Sequence, residues 1–241
     1  MTSPKDSPQQ TRSETLLRNQ PTQLSSGTSD GALNAQAYAA IREALLSGRF
    51  ESGTYLNIRP LAAQLGTSPM PVREALSRLR ADGALEAIAN KAFRVPVISF
   101  ETFREVLTMR LRLEACACEH AAVKASVADV QAVTEAFDSM VEASKHSMED
   151  YLTTHRRFHF AIYDIARMPV LSEVIEGLWL RMGPLLRASL ISSNVKLDHS
   201  RHGAMVRAMR SADTTALVDA LRDDLTSSLE PTYAYLAEKN T

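Results

Sequence analysis

The sequence predicts a mainly α protein, an N-terminal winged helix-turn-helix followed by an all-helical bundle. Three observations carry this. From Ala37 onward apolar residues recur at three- and four-residue spacing, one short alternating stretch around 85–95 interrupts them, and charge is unevenly shared. Residues 37–95 hold eight Lys and Arg against five Asp and Glu, whereas residues 96–241 hold 16 against 20. A small basic module ahead of a larger acidic one is the asymmetry expected when only one part meets a polyanion such as DNA.

At 241 residues and 26.5 kDa the chain is long enough for two ordinary domains. Its 45% hydrophobic and 23% charged residues are globular values, and no apolar stretch approaches the ~18 residues of a membrane span. No apolar core with a small-residue cleavage site follows Met1, so the sequence points to a cytoplasmic protein without a membrane partner. The only cysteines, Cys116 and Cys118, are two apart on an expected helix, roughly 200° around its axis, so they form no disulfide and serve as small apolar fillers.

Residues 1–34, rich in Ser, Thr, Gln, Pro and Gly, read as a flexible tail. A first helix carries Tyr38, Ile41, Ala44 and Leu45 and ends near Ser47 and Gly48. After a turn at Gly53, Asn57 caps a short helix with Pro60 in its first turn, an apolar face of Leu61, Ala62 and Leu65, and a stop at Gly66. Ser68 caps the next helix, with Pro69 and Pro71 in its first turn, a buried stripe of Val72, Ala75, Leu76 and Leu79, and Gly83 in the left-handed position beyond its end. Two such helices joined by a tight turn make a helix-turn-helix. Residues 85–88 and 93–95 then read as a hairpin wing with Lys91 at its tip. From Ser99, which caps a long helix, through Ser126 with Asp129, which opens another, the remainder is periodic without strand alternation, giving six or seven helices. The expected boundaries are 1–34 for the tail, 35–98 for the winged helix-turn-helix and 99–236 for the bundle.

Residues 37–95 resemble the GntR family of bacterial transcription regulators, whose recognition helix typically reads S-R-x-P-V-R-E-A-L. The matching residues are Ser68, Pro71, Val72, Arg73, Glu74, Ala75 and Leu76. Pro69 departs from the pattern, standing where the family commonly has an arginine that reaches DNA, so that contact is expected to be missing. The resemblance implies a double-stranded DNA operator with inverted repeats, read by a homodimer. The first turn of the recognition helix, with Ser68 and Met70, would lie against phosphates and base edges. Arg73 is turned away from the buried stripe, where its fork of donors fits guanine or a phosphate, or else pairs with a neighbouring glutamate. Arg59 matches an arginine that relatives place in the same groove, and Lys91 is a phosphate or minor-groove candidate. Arg78 and Arg80 either touch the DNA backbone or solubilise the helix.

The second half resembles the FCD domain of the FadR-like branch, an effector-binding bundle, through Arg110-x-x-Leu113-Glu114, Phe158-His159 with Pro169-Val170-Leu171, and residues 202–213. His155 and His159 lie ~40° apart on one helix face and can address one ion. The resemblance adds His202 and puts Asp224 where the fourth ligand is often histidine, with His155 standing where the family has Asp or Asn. Three imidazoles and a carboxylate suit Zn²⁺, Ni²⁺ or Mn²⁺, and such a site should lose metal as pH drops through ~6.5. The other reading of these histidines is a polar, water-filled pocket. An effector, an organic or amino acid by resemblance, would bring a carboxylate to the metal and to Arg110; Arg110 could instead pair with Glu114 one turn away. His120, His146 and His199 show no ligand spacing. The sequence contains no HExxH, GxSxG, P-loop or GxGxxG pattern. A regulator is therefore expected rather than an enzyme, the alternatives being a metal-dependent hydrolase or an adaptor that has lost DNA contact.

Overall fold

The computed structural model describes residues 30–88, 92–192 and 197–239. The chain divides between Val97 and Ile98 into two compact units.

The first unit contains α1 (Asp30–Leu46), β1 (Tyr55–Leu56), α2 (Ile58–Leu65), α3 (Pro69–Ala81), β2 (Glu86–Ile88) and β3 (Ala92–Arg94). Helix α1 begins at Asp30, so residues 30–34, placed in the tail by composition, are helical. It packs along α3, and Val72, Ala75, Leu76 and Leu79 on that helix are at most 2% exposed. Burial of a leucine side chain stabilises by about 1.5–3 kcal/mol. Gly66 ends α2 at φ 66°, and Gly83 follows α3 at φ 75°, a conformation that costs a residue without Cβ little. Asn57 and Ser68 hold the N-cap positions in extended conformation, but neither side chain makes the capping bond expected of it. The wing is a three-stranded antiparallel sheet in the order β1-β3-β2, not a lone hairpin. Tyr55 and Leu56 pair with Arg94 and Phe93, a strand too short to leave an alternating signal.

The second unit holds α4 (Phe100–Lys124), α5 (Val127–Ala143), α6 (Met148–Ile165), α7 (Pro169–Ser192), α8 (Ser200–Ser211), α9 (Thr214–Ser227) and α10 (Leu229–Lys239), seven helices among the described residues. Ser99 caps α4 by accepting from Thr102 N, and Ser126 and Asp129 form a reciprocal capping box on α5. Helix α4 packs against α6, α7 and α9, and α8 packs against α5 and α9, which brings the inner faces of α4, α6, α8 and α9 together. Leu217, Leu221 and Leu225 lie on α9, whereas Leu229, at the same four-residue spacing, begins α10. Pro231, which lacks an N–H and would crowd the carbonyl of Ser227, sits in the first turn of α10, and the chain breaks at Ser228.

Candidate metal centre and nucleic-acid interface

Helix α6 starts at Ser147, whose side chain accepts from Asp150 N, with Glu149 and Asp150 complementing the positive end of the helix dipole. This start puts His155 and His159 one turn apart on the inner face, His159 fully buried and His155 partly so, with its Nδ1 enclosed. Helix α8 adds His202 and α9 adds Asp224. One ligand atom from each of the four residues lies within 4.8 Å of the others. The rings of His155 and His159 are 4.6 Å apart between centroids, those of His155 and His202 5.1 Å, and those of His159 and His202 5.3 Å. His159 Nε2 is 3.4 Å from Asp224 Oδ2, and His202 Nε2 is 3.3 Å from Asp224 Oδ1.

These atoms are close without being hydrogen-bonded. His155 Nδ1, His159 Nε2 and both ring nitrogens of His202 are buried and lack a hydrogen-bond partner. Leaving such an atom unpaired costs about 1–3 kcal/mol, so four in one cluster is an arrangement that a cation would relieve by turning bare lone pairs into ligands. The donor set fits a divalent transition metal. Burial, helped by the neighbouring histidines, pushes His155 well below the usual imidazole value and His202 down to about 4, which favours the neutral, ligating form. Burial alone would raise Asp224, but His202, then His159 and His155, outweigh it and hold this carboxyl below its ordinary range.

A cavity of about 400 Å³ adjoins the cluster, with His155, His202, Asp224, Arg110, Arg201 and Ser189 on its wall. Arg110 is 7% exposed and its Nε donates to Glu114 Oε1 at 2.6 Å, so it both lines the cavity and forms the intrahelical pair. Its guanidinium also lies 4.4 Å from the centroid of the Trp179 ring. The sequence did not single out Tyr163 or Trp179. Yet Tyr163 Oη is 3.0 Å from His159 Nδ1, and both Tyr163 and Trp179 bond Glu114. The signal available was spacing, since Tyr163 stands four residues after His159 just as Glu114 stands four after Arg110.

In the first unit, Ser68 is exposed at the N-cap of α3, Met70 and Arg73 are exposed on that helix, and Arg59 is exposed in the first turn of α2. Met70 is 60% exposed, an unusual position for a large apolar side chain. Ser77 and Arg80 share its stripe, within about 80° of arc. Lys91, expected at the wing tip, lies outside the described residues.

Two family models match the chain. The bacterial regulatory proteins of the gntR family match residues 33–95, and the FCD domain matches residues 105–227. The HTH-type transcriptional regulator McbR of Escherichia coli is 36% identical over 154 residues, 64% of this chain and 70% of that protein. The Nta operon transcriptional regulator of Aminobacter aminovorans is 29% identical over 133 residues, 55% of this chain and 63% of that protein, a little under two thirds of its length. Among solved structures, E. coli McbR/YncC superposes with a TM-score of 0.79 at 29% identity, covering 84% of this chain and 97% of that one. A transcriptional regulator from Rhodococcus sp. RHA1 shares the fold with a TM-score of 0.72 at 20% identity, over 85% of this chain and 99% of its own.

Proposed function

Because the chain belongs to the GntR family of bacterial transcription regulators, with a DNA-binding winged helix-turn-helix and an FCD domain, we propose that it is a ligand-responsive regulator working as a homodimer in the cytoplasm. Arg59, Ser68, Met70 and Arg73 would meet an operator of inverted repeats, with Lys91 a further candidate on the wing. Two modules, each with a net excess of three cations over residues 37–95, give more counterion release than one, which favours a dimer at physiological salt. The FCD domain would hold Zn²⁺, Ni²⁺ or Mn²⁺ on His155, His159, His202 and Asp224. When bound, the metal supplies a Lewis-acidic position for an oxygen ligand.

The observation that carries this reading is the cavity beside the cluster, with orphaned imidazole nitrogens at its wall. A small organic or amino acid fits its chemistry, its carboxylate drawn to the cluster and to Arg110. A hydrolase reading finds no support in the relatives, since both named above are regulators. The test is a gel shift on DNA upstream of the protein's own gene, over a salt series, with a panel of small carboxylates. Salt-sensitive binding to one fragment, altered by a member of the panel only when metal is present, is expected. Binding that no member of the panel alters in the zinc-loaded protein would overturn the sensing role, and absence of sequence-selective binding would overturn the regulator itself.

A further inference from the structure

Glu114 lies at the centre of a buried network joining α4, α6 and α7. Its Oε1 receives Arg110 Nε at 2.6 Å and Trp179 Nε1 at 3.0 Å, and its Oε2 receives the Tyr163 hydroxyl at 2.5 Å. Guanidinium and indole N–H groups donate and do not accept, so the side chain they converge on acts as a carboxylate acceptor. Tyr163 has a single proton, and that proton is donated to Glu114.

The other neighbour of the Tyr163 oxygen is His159 Nδ1, at 3.0 Å. An oxygen whose own proton is already donated can only accept there, so Nδ1 carries hydrogen. A neutral imidazole protonated at Nδ1 has a bare lone pair at Nε2. That atom is fully buried, has no hydrogen-bond partner and stands 3.4 Å from Asp224 Oδ2. The opposite polarity, with Tyr163 donating to His159, would put hydrogen on Nε2, join it to Asp224, and withdraw it as a ligand.

We propose that Glu114 and Tyr163, held in place by Arg110 and Trp179, are positioning residues that lock His159 in the Nδ1–H tautomer and present Nε2 to the His155–His202–Asp224 cluster. The purpose of the lock rests on the metal reading above, but its test does not. Partners of this kind behind a histidine ligand fix ring orientation and raise basicity. Arg110 thereby acts at both ends, on the cavity wall and at the head of a chain that ends on a ligand atom.

The deciding measurement is the tautomer of His159 in the metal-free full chain, read from long-range ¹H–¹⁵N correlations with ¹⁵N-labelled histidine and assigned through His159→Gln. Wild type should show Nδ1 protonated and Nε2 bare. Tyr163→Phe, which removes one hydroxyl, should relax this preference and weaken zinc binding ~10- to 100-fold in a chelator competition. An Nε2–H tautomer in the wild type overturns the proposal, whether or not the variant folds. So does a folded Tyr163→Phe with unchanged tautomer and zinc affinity. Wild-type protein that shows the Nδ1–H tautomer yet takes up no zinc supports the lock and overturns the metal reading alone.

Discussion

The guanidinium of Arg78 lies over the ring of Tyr38, 4.0 Å from its centroid, and the Tyr38 hydroxyl donates to Asp82 Oδ2 at 2.9 Å. Asn34 Nδ2 also donates to Glu74. The stripe Glu74–Arg78–Asp82 of α3 is thus tied to α1, while Met70, Arg73, Ser77 and Arg80 face outward on another stripe. This separates Arg78, held over Tyr38, from Arg80, which the sequence left with the same two readings. Arg73→Ala should weaken operator binding by about 1–3 kcal/mol with an unchanged melting temperature. Arg78→Ala should do the reverse, lowering stability by about 0.5–1 kcal/mol through the lost cation–π contact with little effect on DNA. Fluorescence anisotropy and thermal melts on the two variants check this, and equal DNA affinity for wild type and Arg73→Ala would remove α3 as the recognition helix.

Assembly gives a second prediction. A homodimer bound to an inverted repeat should show two chains per duplex by light scattering, and the salt slope of its affinity should exceed that for a single half-site. A monomer that binds the full repeat as one copy, with no steeper slope, would count against the dimer.

Much of this organisation was legible because its causes are local. Ser99, Ser126 with Asp129, and Gly83 each fix a helix end through neighbours a few residues away. The cluster was half legible for the same reason, His155 and His159 being one turn apart, whereas His202 and Asp224 had to come from resemblance because their meeting depends on how α8 and α9 pack. Strand β1 was missed since a two-residue strand exists only through its partner β3. The Glu114 network was missed because it joins three helices: the Arg110 pair could be read from spacing, but its continuation through Tyr163 to His159 and sideways to Trp179 is a tertiary fact.

Metal content tests the cluster directly. His159→Ala removes one of four donors and leaves a three-ligand site, so protein purified without chelator or nickel resin should lose most of its metal on this substitution, with effector-free DNA affinity little changed. Zinc added at ~100 times its dissociation constant should stabilise wild type by about 2.7 kcal/mol, and this increment should vanish in the variant. Equal metal content in both proteins, or none in either, would leave only the polar-pocket reading of these histidines.

The pH dependence follows from burial and revises the sequence-based value of ~6.5 for metal loss. Imidazole must be neutral to ligate, and in the folded chain His202 is pushed down to about 4, with His155 lowered in the same direction. Protons therefore compete poorly until the pH nears that lower value, and zinc-loaded protein should keep its metal well below 6.5. In the metal-free protein an unfolded histidine takes a proton below ~6.5 that the folded site excludes, so the contribution to stability is full above 6.5 and lost as pH falls toward 4. Asp224, held below its ordinary value, adds a loss in the same direction at still lower pH. Melting temperatures of metal-free protein should accordingly fall between pH 6.5 and 4, and His202→Asn should flatten that fall, because it removes the imidazole whose protonation favours the unfolded chain. A zinc-release midpoint at ~6.5, the value for an unperturbed imidazole, would show that the site is solvated and that burial does not set its protonation.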